Sequence, residues 1–372
     1  VKVLAVMPSY RTASYSGNVG GGEISNRLLF QGLVENGHEV VVVTTNAGGC
    51  GNCTENGVDI VELSEPANSV FLYVKSRLQF RRKVHKIALA VVKPDVIITS
   101  TEALGVALSL KSSAGVPVAL LVRAYENLDN RETLPAMFKR IFKSILLGCF
   151  GPKSVAKVDL VLPNSDYMAS ICNSYIPATV MSKIVYPPVD YELVPMDEGR
   201  SLKTVSMVGT STKKGTALVE RLAERFPDLN FRMVGCPGAN VHGEQAKNNL
   251  TLVGWCDVRK EFEDNADIVL VPSLWPEPFG RVAVEALAAG KIALVSDIGG
   301  LPEAVAFQKV LTLEPGDEDA WSEALRCVLQ NPAPFYEAME VARAQINRFS
   351  VNEQVEGLED ALRQLVTAGR QL

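Results

Sequence analysis

The chain has 372 residues, 47% of them apolar and 21% charged; 37 Lys and Arg face 42 Asp and Glu, for a net charge of −5. That balance excludes bulk disorder, collagen and coiled coil, and the length predicts two domains of ordinary size. The acidic excess argues against nucleic acid as a partner, and no uncharged apolar run is long enough to span a membrane. The seven cysteines are an odd number at low density, with no leader pattern, so a reducing, cytoplasmic setting is expected. His38, His85 and His242 are widely scattered, so no histidine metal site is expected.

In chain order, Val1–Ser9 is a short apolar run that predicts a strand. Tyr10–Gly22 is rich in Gly and Ser and predicts a loop, and Ile24–Glu35 repeats apolar residues at helical spacing. The run 40–45 predicts a buried strand, which completes a strand–loop–helix–strand unit. Strands are predicted at Asp95–Ser100, Val116–Val122 and Leu160–Pro163, with a helical stretch at about 135–150. Pattern is lost after Pro188 and restarts near residue 200. Strands are then predicted at Thr204–Gly209, Asn230–Gly235, Leu250–Val253, Ile268–Pro272 and Ile292–Ser296. Helices are predicted at Gly215–Phe226, Val258–Asp264 and Arg281–Ala289. Repeated strand–helix units imply parallel sheets covered on both faces. The restart divides the chain into an α/β domain over 1–195 and a second over 196–350. An amphipathic helix over 351–372, apolar at Val355, Leu358, Leu362 and Leu365, is expected to pack back on the first domain.

The most informative stretch is Pro272–Glu303. A strand ends at Val271, a Pro-rich loop presents Glu277, and a helix begins near Gly280. The first helical turn offers backbone N–H groups and a positive dipole end, which suit an anion. Glu285 lies eight residues after Glu277, one turn into that helix. Two carboxylates so placed can hold hydroxyls on either side of a pyrophosphate. Gly20-Gly21-Gly22-Glu23 is a glycine-rich turn, yet Ile24-Ser25 stands where a dinucleotide fingerprint requires its third glycine. A nicotinamide-dependent dehydrogenase therefore fits less well.

Glu277-Pro278-Phe279-Gly280, then Val284-Glu285-Ala286-Leu287-Ala288-Ala289-Gly290, then Gly299-Gly300-Leu301-Pro302-Glu303 resemble the signature of retaining glycosyltransferases of family 4. The resemblance implies a GT-B fold: two doubly wound, Rossmann-like parallel-sheet domains facing a cleft. It implies a nucleoside-diphosphate sugar donor, expected to be a UDP-sugar, a hydroxyl acceptor, retention of anomeric configuration and no resident cofactor. By this resemblance Glu277 holds the donor sugar, Glu285 the ribose and Lys214 the diphosphate. Gly21, Gly22, Thr210, Lys213, Trp255, Phe279, Gly280, Arg281 and Val282 line the donor. Arg123 and Ser165 are assigned to the acceptor, with Arg123, Lys214 and Glu277 as the catalytic set. No Asp-x-Asp pair accompanies these residues, so no metal clamp on the diphosphate is expected. Relatives often carry Arg where this chain has Thr210, and His where it has Arg123. These departures leave a second reading, a non-catalytic GT-B partner that binds nucleotide-sugars.

Two other segments stand out. Cys50-x-x-Cys53 is a lone pair and lacks the second pair a structural zinc needs. Met137–Lys157 carries Lys139, Arg140, Lys143, Lys153 and Lys157, no acid, and apolar residues at helical spacing, which suits peripheral contact with an anionic membrane.

Overall fold

A computed structural model describes residues 1–13, 19–45, 51–63, 70–124, 154–235 and 243–369. The chain divides into two compact units, Val1–Pro188 with Val351–Leu372, and Val189–Ser350.

The first unit starts with β1 (Lys2–Val6), whose residues alternate between two cores: Val3 and Ala5 pack in one, Leu4 and Val6 in the other. Burial on both faces is why this strand reads as an unbroken apolar run. α1 (Gly21–Glu35) and β2 (Glu39–Thr44) follow, then a hairpin of β3 (Cys53–Glu55) and β4 (Val58–Glu62). α2 (Val70–Lys86) runs into a π-helical turn at Ile87–Val92, before β5 (Val96–Ser100) and α3 (Leu104–Ala114). β6 (Val118–Val122), β7 (Leu160–Pro163), α4 (Asp166–Asn173) and β8 (Met181–Ser182) complete the order. The eight-stranded sheet runs β3-β4-β2-β1-β5-β6-β7-β8, parallel throughout except at the β3–β4 hairpin.

Gly21 and Gly22 open α1 and are not part of the predicted loop. The Glu23 carboxylate accepts the Gly20 N–H at 2.8 Å, while Glu23 N and Ile24 N turn back to the Gly20 carbonyl, so the helix starts on its glycines. The predicted helix at about 135–150, most of the basic segment 137–157, and Cys50 lie outside the described residues.

The second unit holds β9 (Thr204–Val208), α5 (Thr216–Arg225), β10 (Asn230–Val234), β11 (Glu244–Lys247) and β12 (Leu250–Val253). α6 (Val258–Asn265), β13 (Ile268–Val271), α7 (Arg281–Ala288), β14 (Ile292–Ser296) and α8 (Leu301–Ala304) come next. β15 (Thr312–Leu313), α9 (Glu318–Gln330) and α10 (Ala333–Ala344) end the unit. Its seven strands run β11-β12-β10-β9-β13-β14-β15, and only β11 is antiparallel to its neighbour. The family-level expectation of parallel α/β sheets with helical cover is met in both units.

The chain passes between units at Pro188–Val189, whereas the sequence places that passage at 195. Residues 189–195 are bonded within the second unit: Val189 N donates to the Phe349 carbonyl, Val194 N to that of Ala288, and the Arg343 guanidinium to that of Val194 at 2.6 Å. After α10 the chain returns as α11 (Val351–Gly369), which places Val355, Leu358, Leu362 and Leu365 in the core beside Leu29, Phe30 and Leu33 of α1. No helix among the described residues is long and apolar enough to cross a membrane.

Candidate active site

In the second unit, β9 continues to β10 on one side while β13 lies on its other side. The loops leaving the C-terminal ends of β9 and β13 therefore flank the point where the winding of the sheet reverses, the usual place for a ligand in an open parallel sheet. Lys214 leaves β9 through a short 3₁₀ turn, Thr212–Lys214, and Glu277 follows β13. The Lys214 Nζ lies 2.7 Å from the Glu277 Oε1, so the two expected residues form an ion pair across the reversal. Glu277 is only 8% exposed, and the buried Ser273 hydroxyl donates to the same oxygen.

The backbone around this pair is closely fitted. Leu274 N donates to the Lys213 carbonyl at 2.8 Å, tying the two loops together. Gly215 follows Lys214 with φ +84°, and a Cβ there would sit 2.1 Å from the Pro272 carbonyl oxygen, so only glycine fits. Gly299 has φ +63° and lies against the backbone of Glu277, while Gly300 N donates to the Glu277 carbonyl at 2.7 Å. The Gly-Gly pair of the signature thus supports the loop that carries Glu277.

α7 begins at Gly280, whose carbonyl accepts Ala283 N and Val284 N. Arg281 and Val282 occupy the first-turn positions whose N–H groups have no intrahelical acceptor. Glu285 is 8% exposed and pairs with the Arg281 Nε at 2.6 Å. Tyr191 also hydrogen-bonds Glu285; burial first, then this carboxylate, raises the Tyr191 phenol well above its ordinary range. The Arg259 guanidinium lies 5.3 Å from the centre of the Tyr191 ring. Phe279 is buried, edge-on to Phe349 at 5.1 Å, so its side chain belongs to the core and only its backbone can meet a ligand. Thr210 and Lys213 are exposed, with the Lys213 Nζ 5.9 Å from the centre of the Trp275 ring. Trp255, after β12, is 38% exposed and lies beside Gly235 at the end of β10, on the same strand-end edge as Lys214 and Glu277.

The first unit carries the other expected residues. Arg123 follows β6; its Nε donates to Asn26 Oδ1 at 3.3 Å and its Nη1 to the Val185 carbonyl at 2.9 Å. A Cβ on Gly22 would lie 3.9 Å from the Arg123 Cβ, so the first turn of α1 and Arg123 are neighbours. Ser165 is buried and caps α4, its hydroxyl accepting Met168 N at 2.9 Å, which is a structural contact. Nearby, Ser9 donates to Glu102 at 3.0 Å, and Arg11 pairs with Glu23 at 3.2 Å.

Sequence reasoning missed Ser273 and Tyr191. The i,i+4 spacing of Arg281 and Glu285 would have signalled their pairing. Among the described residues no group of three or more His, Cys, Asp or Glu side chains could hold a metal ion. The chain does contain an Asp-x-Asp pair, Asp317-Glu318-Asp319, and it is a helix cap: Asp317 accepts the N–H groups of Asp319 and Ala320 at the start of α9.

Two family models match the chain. One, described as Glycosyltransferase Family 4, covers residues 19–193, and the other, described as Glycosyl transferases group 1, covers 204–348. Both domains of a GT-B glycosyltransferase are present. The chain is 26% identical over 322 residues to an uncharacterized 42.6 kDa protein in the cps region of Klebsiella pneumoniae, a match covering 78% of this chain and 85% of that one. It is 32% identical over 186 residues to a D-inositol 3-phosphate glycosyltransferase of Mycobacteroides abscessus, spanning 43% of this chain and only 41% of that relative. In structure it is similar to a sucrose-phosphate synthase from Thermosynechococcus elongatus, with a TM-score of 0.77 at 18% identity over 99% of this chain and 100% of the other. It is also similar to Anabaena HepE in complex with UDP and glucose, with a TM-score of 0.71 at 17% identity over 98% and 100% of the two chains. These two structural likenesses show the GT-B fold of this glycosyltransferase.

Proposed function

We propose that this glycosyltransferase moves a sugar from a nucleoside-diphosphate donor, a UDP-sugar, to an acceptor hydroxyl with retention of configuration and without a metal. The observation that carries this reading is the Lys214–Glu277 pair at the reversal of the second sheet, next to the first turn of α7. The ammonium and the helical N–H groups suit the two phosphates. Glu277, held by Ser273 and Lys214, is assigned the hydroxyls of the donor sugar. Glu285, held by Arg281 and Tyr191, is assigned the ribose hydroxyls, and Trp255 the base. HepE has been solved with UDP-glucose, which supports the choice of base.

In this mechanism the bond from the anomeric carbon to the diphosphate oxygen breaks ahead of acceptor attack. The sugar becomes oxocarbenium-like and charge grows on the departing phosphate. Lys214 and the N–H groups at Arg281 and Val282 stabilise that charge; preorganised donors of this kind contribute about 10²–10³-fold each. The leaving phosphate oxygen takes the acceptor proton, so no histidine base is required. An arginine stays protonated at neutral pH, so Arg123 is assigned to the leaving phosphate or to a charged acceptor. The acceptor assignment of Ser165 is kept only for its backbone, since its hydroxyl caps α4. Peripheral membrane contact through 137–157 is part of the proposal and would suit a lipid-linked acceptor.

The test is donor turnover with a panel of hydroxyl acceptors, followed by NMR of the product. Release of UDP with the donor's anomeric configuration kept in the product supports the reading. An inverted product refutes retention, and UDP-sugar binding without transfer to any acceptor favours the non-catalytic partner that the Thr210 and Arg123 departures suggest.

A further inference from the structure

The outer edge of the second sheet carries a hollow and a projecting aromatic side chain that the donor site does not use. β15 is the last strand of its sheet, so one of its sides has no strand neighbour. Beside it, α9 and α10 leave a groove of about 560 Å³. Val310 and Leu313 form one wall, and Ala320, Ala324 and Cys327, on successive turns of α9, form another. The buried Phe335 of α10 completes the apolar lining. The small side chains of the α9 wall keep the groove open, because no long side chain on that face folds over it. The rim is charged at two points: Lys309 on the β15 side and Glu323 on α9, both with exposed side chains.

Phe307 stands two residues before Lys309, at the end of this groove, and is 59% exposed. The chain leaves α8 through Ala306 and Phe307, both left-handed, with φ +50° and +56°. Two hydrogen bonds fix the turn: Phe307 N donates to the Pro302 carbonyl at 2.7 Å and Ala306 N to that of Glu303 at 3.1 Å. Glycine is the usual residue at a left-handed helix end, and a bulky side chain there is an outlier that the surrounding structure must hold in place. The turn thus keeps an aromatic ring in water at a position where glycine would be unstrained. Val310, also exposed, adds an aliphatic tip beside it.

We propose that this edge of the second unit pairs two copies of the chain about a two-fold axis, each Phe307 entering the groove of the other copy. A two-fold interface presents the same patch from both sides, so the patch must complement itself. A knob next to a hollow meets that condition, since one rotation seats both rings. The same rotation carries Lys309 toward the partner's Glu323, so the rim charges attract across the interface. Other occupants satisfy less of the surface. A small apolar ligand fits a hollow of this volume but leaves Phe307 in water, and a strongly charged partner is opposed by either Lys309 or Glu323. Each Phe307 removes about 100 Å² of apolar surface from water. With the face of α9 the patch stays below the about 800 Å² per partner of a standard interface, so the pairing is expected in the micromolar range. Lys214, Glu277 and Glu285 take no part in this surface, and the inference does not rest on the donor-site reading.

The experiment is sedimentation velocity of the full chain from about 1 to about 200 µM, a range that brackets micromolar association. Two variants are compared with the wild type: F307S, which removes the knob, and C327R, which fills the groove. Circular dichroism and thermal unfolding report that each is folded. The wild type is expected to pass from monomer to dimer as concentration rises. F307S removes two knobs from each dimer and should raise the dissociation constant at least about 100-fold, and C327R should do the same. A covalent test adds the geometry. Under copper phenanthroline oxidation, F307C should form a reducible dimer through the partner's Cys327, and F307C/C327S should not. Two-fold pairing is overturned if the wild type stays monomeric at the highest concentration, or if either sedimentation variant dimerises as tightly as the wild type. It is also overturned if F307C cross-links equally well without Cys327, because the ring would then lie outside the groove.

Discussion

Breaking the Lys214–Glu277 pair separates a structural role from a ligand role. At 2.7 Å and an effective dielectric of about 20 the gross attraction is about 6 kcal/mol, most of it offset by desolvation. Lys214 is 29% and Glu277 11% exposed at the side chain, so the pair falls between exposed pairs, worth about 0–1 kcal/mol, and buried ones that cost about 3–5 kcal/mol to break. Lys214→Met, which keeps the aliphatic stem, should therefore cost about 2 kcal/mol, or about 4–8 °C in Tm. If Lys214 also meets the diphosphate, the loss of a charge-assisted hydrogen bond worth about 1.5–3 kcal/mol should raise the Kd for UDP about 10- to 150-fold. Glu277→Gln should leave UDP affinity near the wild-type value, because this residue is assigned the sugar. It should lower turnover of the UDP-sugar at least about tenfold. Calorimetric titration with UDP, steady-state donor turnover and thermal unfolding on both single variants and the double variant give the full cycle. Coupling that appears in stability alone, with Lys214→Met binding UDP as tightly as the wild type, would refute the assignment.

Two further predictions follow from local geometry. Gly215→Ala forces a Cβ onto the Pro272 carbonyl at a positive φ, and should destabilise the second unit by about 3 kcal/mol or more, read as a lower Tm; an unchanged Tm would contradict the close fit. Hydrogen bonds from Arg363 and then Asn36, with His38 also contributing, pull the Glu359 carboxyl down from 4.5 to about 2, so its contribution is complete above pH 4.5 and is lost as pH falls toward 2. Denaturant unfolding at pH 7 and pH 3 should show the wild type losing more stability than Glu359→Gln, and equal losses would remove this group from the account.

Much of the fold was legible because parallel strands covered on both faces announce themselves as short β-branched apolar runs. Leu160–Pro163 and Ile292–Ser296 were readable to the residue. α2 was not, since the seven Lys and Arg of residues 66–94 hide the buried stripe of Phe80, Val84, Ala88 and Val92. α9 and α10 were also passed over, because they follow the signature and carry no motif of their own. At the site, family-like spacing pointed to Glu277, Lys214 and Glu285, and the structure brings the Lys214 and Glu277 side chains together. Of their partners, Arg281 stands four residues before Glu285 on the same helix and is legible from that spacing, whereas Ser273 and Tyr191 depend on how loops close in three dimensions, which no local pattern encodes. Ser165 illustrates the opposite case: an N-cap serine and a ligand serine look alike until the Met168 N–H is found on its hydroxyl.

The return of α11 to the first unit sets an order of events during synthesis. The core around Leu29, Phe30 and Leu33 lacks Val355, Leu358 and Leu362 until the whole second unit has been translated. At about 5–20 residues per second, that interval lasts on the order of 10–40 s. During it a nascent sheet stays uncapped on one side while its downstream neighbour can already mature. A chaperone that shields the bare flank of α1 is therefore most needed late in elongation, and a premature stop codon a few turns from the end would harm the half of the protein made first.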